Sequence, residues 1–221
     1  MIQIQDVSVV YPKAVGSKDG KPFEALRNVS ASVARGEFFT LIGPSGCGKS
    51  TLLGLISGLK KPTSGKVLIN DKAVTGPLPD TTSIVFQEYS LFPWRTVQDN
   101  VVMGLEFQGV PKSVRREKAK YYLDMVGLSD FALAYPRQLS GGMKQRVAIA
   151  RALCLETPVL LMDEPFGALD EQTRIILGEE VSQIFANTDK TIVLVTHSLA
   201  EAVLLSDRIA IMGTRPGRIQ E

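Results

Sequence analysis

The 221-residue chain carries little net charge. Its 25 Lys and Arg against 23 Asp and Glu leave a formal +2. That balance offers no footprint for wholesale nucleic-acid binding. No apolar run approaches the roughly 18 residues a membrane-spanning helix needs. The N-terminus, Met1-Ile-Gln-Ile-Gln-Asp6, has neither a basic start nor an apolar core, so it does not read as a signal peptide. The expectation is a cytoplasmic protein whose membrane role, if it has one, comes through a partner. Two cysteines, Cys47 and Cys154, make no disulfide framework. Internal repeats and low-complexity segments are also lacking.

What is present is ordinary for a soluble globular chain, with 44% hydrophobic and 22% charged residues. The length suits one large domain or a core with an insertion. One stretch stands out: Gly43-Pro-Ser-Gly-Cys-Gly-Lys-Ser-Thr51 fits G-x-x-x-x-G-K-[ST]. Phe38–Ile42 ahead of it reads as a short buried strand, and Thr51–Ser57 behind it as a packed helix. The glycines free the loop of side-chain bulk, so consecutive N–H groups can turn onto an anion at a helix N-terminus. Lys49 then reaches the β- and γ-phosphates, the Ser50 hydroxyl can ligate magnesium, and Thr51 can donate to the α-phosphate. Cys47 is either a small loop residue or a thiol activated by Lys49 and the helix N-terminus.

Residues 2–10 alternate as a half-buried strand, with Ile2 and Ile4 and then Val7 and Val9. Residues 12–22 are turn-rich. Further strands are predicted at 24–33, 65–70, 83–86, 159–162, 191–195 and 208–212. Helices are predicted from Thr96 to about Phe107, at 112–127, 140–155, 173–186 and 200–205. The helix at 112–127 has an apolar face of Val114, Ala119, Leu123 and Val126. Alternating strands and helices with apolar-run strands imply a parallel, buried sheet. The helical block of about 88–155 reads as inserted into an α/β core made of 1–87 and 156–221.

Other stretches carry chemistry. Val159–Met162 ends in Asp163-Glu164, paired carboxylates at the C-terminal edge of a strand, where ligands bind. Asp163 suits a magnesium shell and Glu164 suits facing an attacking water. Ser140-Gly141-Gly142 opens a helix; it is either a plain helix start or a second anion site. His197, the single histidine, follows strand 191–195, where a polar side chain can contact a γ-phosphate. Gln87 follows strand 83–86.

Together these motifs resemble the ATP-binding-cassette (ABC) family of transporter ATPases, over about residues 2 to 218. The order is the family's: phosphate loop 43–51, Gln87, Leu139–Met143, Val159–Glu164, Ala168-Leu169-Asp170, His197. The resemblance implies a P-loop NTPase fold with an N-terminal antiparallel β subdomain, a mixed or mainly parallel core sheet and an inserted helical subdomain. It implies ATP and Mg2+, bound by Gly43, Pro44, Ser45, Gly46, Cys47, Gly48, Lys49, Ser50 and Thr51. Tyr11 matches the aromatic that stacks on adenine, or is simply a strand-end aromatic. Ser50, Gln87 and Asp163 join the metal sphere. Glu164 resembles the general base, and His197, Lys49 and Gln87 its catalytic companions. Two cassettes pair in a homodimer, so Ser140, Gly141 and Gly142 face the partner's ATP and Asp170 lies in the interface. Two positions depart from the pattern: Met143 replaces a consensus Gln, and Ser198-Leu199 follow His197 where importers often have an acidic residue first.

A finer resemblance lies in Gln87–Asn100, Glu164–Asp170 and Thr214–Ile219. These look like the bacterial nitrate, sulfonate and taurine importer ATPases. That implies a peripheral subunit on the cytoplasmic face of the inner membrane. It would dock polytopic permease subunits near Gln87–Asn100 and serve a periplasmic or extracellular solute-binding protein indirectly. Trp94, the single tryptophan, is either a staple for the helix at Thr96 or a docking residue. Importers of this group run some tens of residues beyond the position of Glu221. Rival readings are a soluble ABC ATPase, one driving a mechanical membrane complex, and a nucleotide-gated scaffold that does not turn over.

Overall fold

The computed structural model describes residues 1–12, 22–186, 188–214 and 216–220. The expected loop at 12–22 falls mostly outside them. The chain divides into two compact units, Met1–Pro79 with Asp189–Glu221, and Asp80–Thr188. The boundaries therefore differ from those expected at 87/88 and 155/156.

In the first unit, β1 (Ile2–Tyr11), β2 (Phe23–Val33), β4 (Ser64–Ile69) and β5 (Lys72–Ala73) form an antiparallel sheet in the order β2-β1-β4-β5. The phase change in β1, from Ile2 and Ile4 to Val7 and Val9, is a β-bulge: all four are buried, and the register shifts between Ile4 and Val7. Asp6 sits there at φ 48°, and its N–H donates to Ser30 Oγ at 2.9 Å. The extra residue keeps both halves of the strand facing the core.

β3 (Phe38–Ile42) is buried at every position. It lies between β8 (Thr191–Thr196) and β9 (Arg208–Gly213), parallel to both. A strand with neighbours on both edges and elements on both faces is apolar where its side chains have no partner, and the one polar residue here, Thr40, hydrogen-bonds the Ser206 hydroxyl. β10 (Arg218–Ile219), too short to announce itself in the sequence, pairs antiparallel with β9. α1 (Lys49–Ile56) follows β3, and α7 (Leu199–Leu205) follows β8.

The second unit pairs β6 (Thr82–Val85) parallel with β7 (Val159–Asp163) and surrounds them with helices. The single helix expected from Thr96 to Phe107 is two short ones, α2 (Val97–Val101) and α3 (Met103–Phe107). They break at Val102, whose ψ is 6°. Adjacent β-branched Val101 and Val102 resist continuous helical packing. Gly104 then lies so close to Leu155 that a Cβ would meet its Cδ2 at 2.4 Å. α4 (Lys112–Met125) buries Ala119, Tyr122 and Leu123, while Val114 is exposed, contrary to the expected apolar face. α5 (Gly141–Cys154) buries most of its length, from Gln145 to Cys154. α6 (Glu171–Ala186) begins two residues before its expected start.

Asn100 holds the approach to α2. It is fully buried, its Oδ1 accepts the Phe92 N–H at 2.7 Å, and its Nδ2 donates to the carbonyls of Phe92, Arg95 and Thr96. One side-chain amide thus satisfies four backbone groups of the 92–96 segment. Asn100→Ala should lower unfolding stability by about 1–3 kcal/mol in urea titration, despite alanine's better helix propensity. It should also expose residues 92–96 to limited proteolysis.

Candidate functional site: a phosphate loop and its companion motifs

The loop between β3 and α1 is set by how closely backbone approaches backbone. A Cβ on Gly43 would lie 2.6 Å from the Met212 carbonyl oxygen and 2.9 Å from Cys47 Sγ. Gly48 has φ 99°, and a Cβ there would lie 2.5 Å from Leu26 Cδ2. Neither position admits a side chain, which leaves a cradle of backbone suited to a phosphate. Lys49 is buried, and its ammonium donates to the carbonyls of Gly43 at 2.7 Å and Pro44 at 3.2 Å. The lysine is therefore held within the loop at the N-terminus of α1. Pro44, Ser45, Gly46 and Ser50 are exposed, as ligand-facing positions must be.

Tyr11, at the end of β1, lies on the same unit. Its hydroxyl is 3.4 Å from Thr51 Oγ1 and accepts from Lys60 Nζ at 3.0 Å. Lys60 also stands 5.5 Å from the ring centroid. The structure thus brings the expected aromatic to Thr51, the second residue after Lys49. The hydrogen bonds from Thr51 and Lys60 outweigh burial and hold the Tyr11 phenol below its ordinary pKa.

The thiol reading of Cys47 is corrected. Cys47 is 1% exposed, packed where the loop turns toward α1, so reagents have no access to it. Cys154 is fully buried, and burial pushes its thiol up to about 12.

Gly217 was noticed in the sequence only as part of Thr214–Ile219. In the structure it backs the phosphate loop. A Cβ there would lie 2.0 Å from the Cys47 carbonyl oxygen and 2.9 Å from that of Ala25. Its N–H donates to Ala25 O, and its carbonyl accepts from Arg27 N–H. The only sequence signal was a glycine in a short turn, which does not say what it turns against.

His197 is exposed at the C-terminal end of β8 in this unit. Thr196 before it is buried, and Ser198 after it caps α7.

The second unit holds the other motifs. Asp163 ends β7, and Glu164 follows at φ 45°, a left-handed conformation that glutamate rarely adopts. A Cβ on Gly167 would be 3.3 Å from Glu164 O and 3.7 Å from Gln87 Nε2, so Gln87 and Glu164 share one neighbourhood. Ser140 caps α5, accepting the Met143 N–H at 3.3 Å. A Cβ on Gly141 would lie 3.1 Å from the Tyr89 hydroxyl, and one on Gly142 3.1 Å from Thr173 Cγ2. Arg151, near the other end of α5, donates to the carbonyls of Ser90 at 2.6 Å and Tyr89 at 2.9 Å. The segment after Gln87 is thereby anchored to both ends of the helix that Ser140 opens. Burial lowers the Arg151 pKa and raises that of Tyr89.

Asp170 caps α6, accepting the Thr173 N–H at 3.0 Å, which holds its carboxyl below the usual range. Trp94 is 71% exposed and meets Phe92 edge-on at 5.4 Å between centroids. So exposed a ring staples no helix, which removes that alternative. Among the described residues, no cluster of three or more His, Cys, Asp or Glu could hold a metal. No described helix is long and apolar enough to cross a membrane.

A glycine cradle with no room for Cβ, a lysine folded into it and a helix N-terminus behind it define a P-loop nucleotide-binding protein. The family follows from comparison: the ABC transporter model matches residues 26–167, and the chain belongs to that family. It is 55% identical over 203 residues to an uncharacterized ABC transporter ATP-binding protein, MJ0412, of Methanocaldococcus jannaschii, covering 92% of this chain and 76% of that one. It is 49% identical to the nitrate import ATP-binding protein NrtD of Synechocystis, covering 99% of this chain and 80% of the relative. Among solved structures, the ATP-binding cassette MJ0796, dimeric in a post-hydrolysis state with ADP and Pi, superposes with a TM-score of 0.86. The identity is 34%, with 100% of this chain and 97% of that one covered. The expected ABC ATPase fold, with its antiparallel N-terminal sheet and parallel core strands, is thus the fold observed.

Gly217→Ala should displace the Cys47 peptide and weaken ATP binding by about tenfold or more, measured with a fluorescent ATP analogue. With both thiols buried, neither cysteine of the native protein should react with an aromatic disulfide reagent within minutes. Both should react at once in guanidinium.

Proposed function

We propose that this chain is the ATP-hydrolysing subunit of a bacterial ABC importer. The observation that carries this is the Gly43–Thr51 cradle with Lys49 held inside it. The dimeric ADP- and phosphate-bound relative supports turnover, and the nitrate import relative supports an importer of a small anion or related solute. Nitrate, sulfonate and taurine are the candidates.

In this reading two copies pair, each lending Ser140, Gly141 and Gly142 to the ATP of the other. Loop N–H groups from Gly43 to Thr51 and the Lys49 ammonium hold the β- and γ-phosphates. Tyr11 stacks on adenine. Ser50, Gln87 and Asp163 are assigned to magnesium, which neutralises phosphate charge when bound. Glu164 takes a proton from the water that attacks the γ-phosphorus, the bond to the ADP oxygen breaks, and phosphate leaves. His197 orients the γ-phosphate. The assignments of Gln87, Asp163, Glu164 and His197 rest on the order of the motifs along the chain.

The subunit works peripherally on the cytoplasmic face of the inner membrane. Its permease subunits dock at Gln87–Asn100. Exposed Trp94, on a segment pinned by Asn100, presents a rigid aromatic anchor for them. A solute-binding protein acts on the permease and does not touch this chain.

Glu164→Gln should reduce ATP turnover by about 10²–10⁴ while leaving ATP binding intact. Gel filtration with ATP should show a stable dimer for the variant and a monomer for the wild type. Undiminished hydrolysis would overturn the general-base role.

A further inference from the structure

The residues flanking His197 are tied to one buried carboxylate. Glu201, in the first turn of α7, is only 6% exposed. It accepts a short hydrogen bond from the Thr196 hydroxyl. The same Thr196 oxygen accepts the Ser198 N–H at 3.0 Å. Ser198 Oγ in turn accepts the Glu201 N–H at 3.3 Å, capping the helix. Hydrogen bonds thus run from Thr196 to Glu201 and back through Ser198, and His197 is the one residue between Thr196 and Ser198.

Packing alone does not call for this arrangement. A buried carboxylate is costly to desolvate, and an apolar side chain would fill the space without that cost. What the carboxylate adds is direction. It fixes the Thr196 hydroxyl so that one lone pair meets the Ser198 N–H. That sets the backbone on both sides of an exposed imidazole, leaving His197 only its own side-chain torsions to vary.

We propose that Glu201 is a positioning residue for His197, acting through Thr196 and Ser198 without touching nucleotide. This rests on the proposed role of His197 in ATP hydrolysis. Loss of the carboxylate lets the turn relax, and the imidazole loses its aim while ATP affinity stays.

The test uses Thr196→Val, Glu201→Ala and Glu201→Gln, each alone and combined with His197→Ala, in the untagged full chain. Thr196→Val removes the hydroxyl at nearly constant volume, so it carries the test if Glu201→Ala fails to fold. Glu201→Gln still accepts from Thr196 and should keep turnover near wild type. Thr196→Val and Glu201→Ala should each lower kcat by about tenfold to a hundredfold, with KM for ATP changed less than about twofold. In the His197→Ala background they should cost nothing further. The chain's single histidine also gives one imidazole proton resonance, which Thr196→Val should shift or broaden and Glu201→Gln should leave in place. Equal losses with and without His197, or an unmoved resonance with full turnover, would overturn the positioning role. A wild type without turnover, or a His197→Ala variant at full rate, would overturn the functional reading itself. The resonance would then still decide whether Glu201 sets the imidazole.

Discussion

The structure depends on a crowded contact of backbone with backbone beneath the phosphate loop. An anion can be held by peptide N–H groups only if those groups turn inward together, and the carbonyls then turn toward the protein. Here they meet other backbone directly. Gly43 lies against the Met212 carbonyl, Gly48 against the Ala25 carbonyl and the Leu26 side chain, and Gly217 against the Cys47 carbonyl. The β9–β10 hairpin and the edge of β2 therefore serve as the floor of the loop, and strands far apart in sequence share one steric condition. The buried run of β3 supplies the rigid lead-in, and α1 carries the chain away along the direction its N–H groups require.

Much of this was legible from residue order. The Gly43–Thr51 spacing names the loop, and Phe38–Ile42 names the strand before it. Even the bulge in β1 is written in the change from even to odd apolar positions at Asp6. These features are local, so local pattern suffices to see them. The helix expected at 96–107 failed at Val102 because periodicity does not register a β-branched pair at a junction or a glycine required by a distant Leu155. Val114, expected on the buried face of α4, is exposed for the same reason: which stripe of the helix is covered depends on its neighbours.

The site was legible as types of residue and not as relations among them. Gly217 looked like a turn residue, because its significance is the carbonyl on the other side. Asn100 looked like a polar residue within a docking segment; its meaning is that one amide closes four backbone bonds. Cys47 could be read as a small loop residue or as a thiol activated by charge, and burial leaves only the first. The positive φ of Glu164 left no trace in composition at all. Long-range packing and backbone strain are three-dimensional quantities, and a pattern of residue types reports them only by accident.

Arg151 grips the segment after Gln87 by its carbonyls. A carbonyl is the same in every residue, so this grip does not read the side chains at 89 and 90. Ser90, at φ 48°, adds a hold of its own, its hydroxyl donating to the Glu88 carbonyl at 3.1 Å. Tyr89 is bound differently, since its hydroxyl lies against Gly141. The side chain at 90 therefore answers to the turn it sits in, while Arg151 and the Tyr89–Gly141 contact keep α5 in register with Gln87.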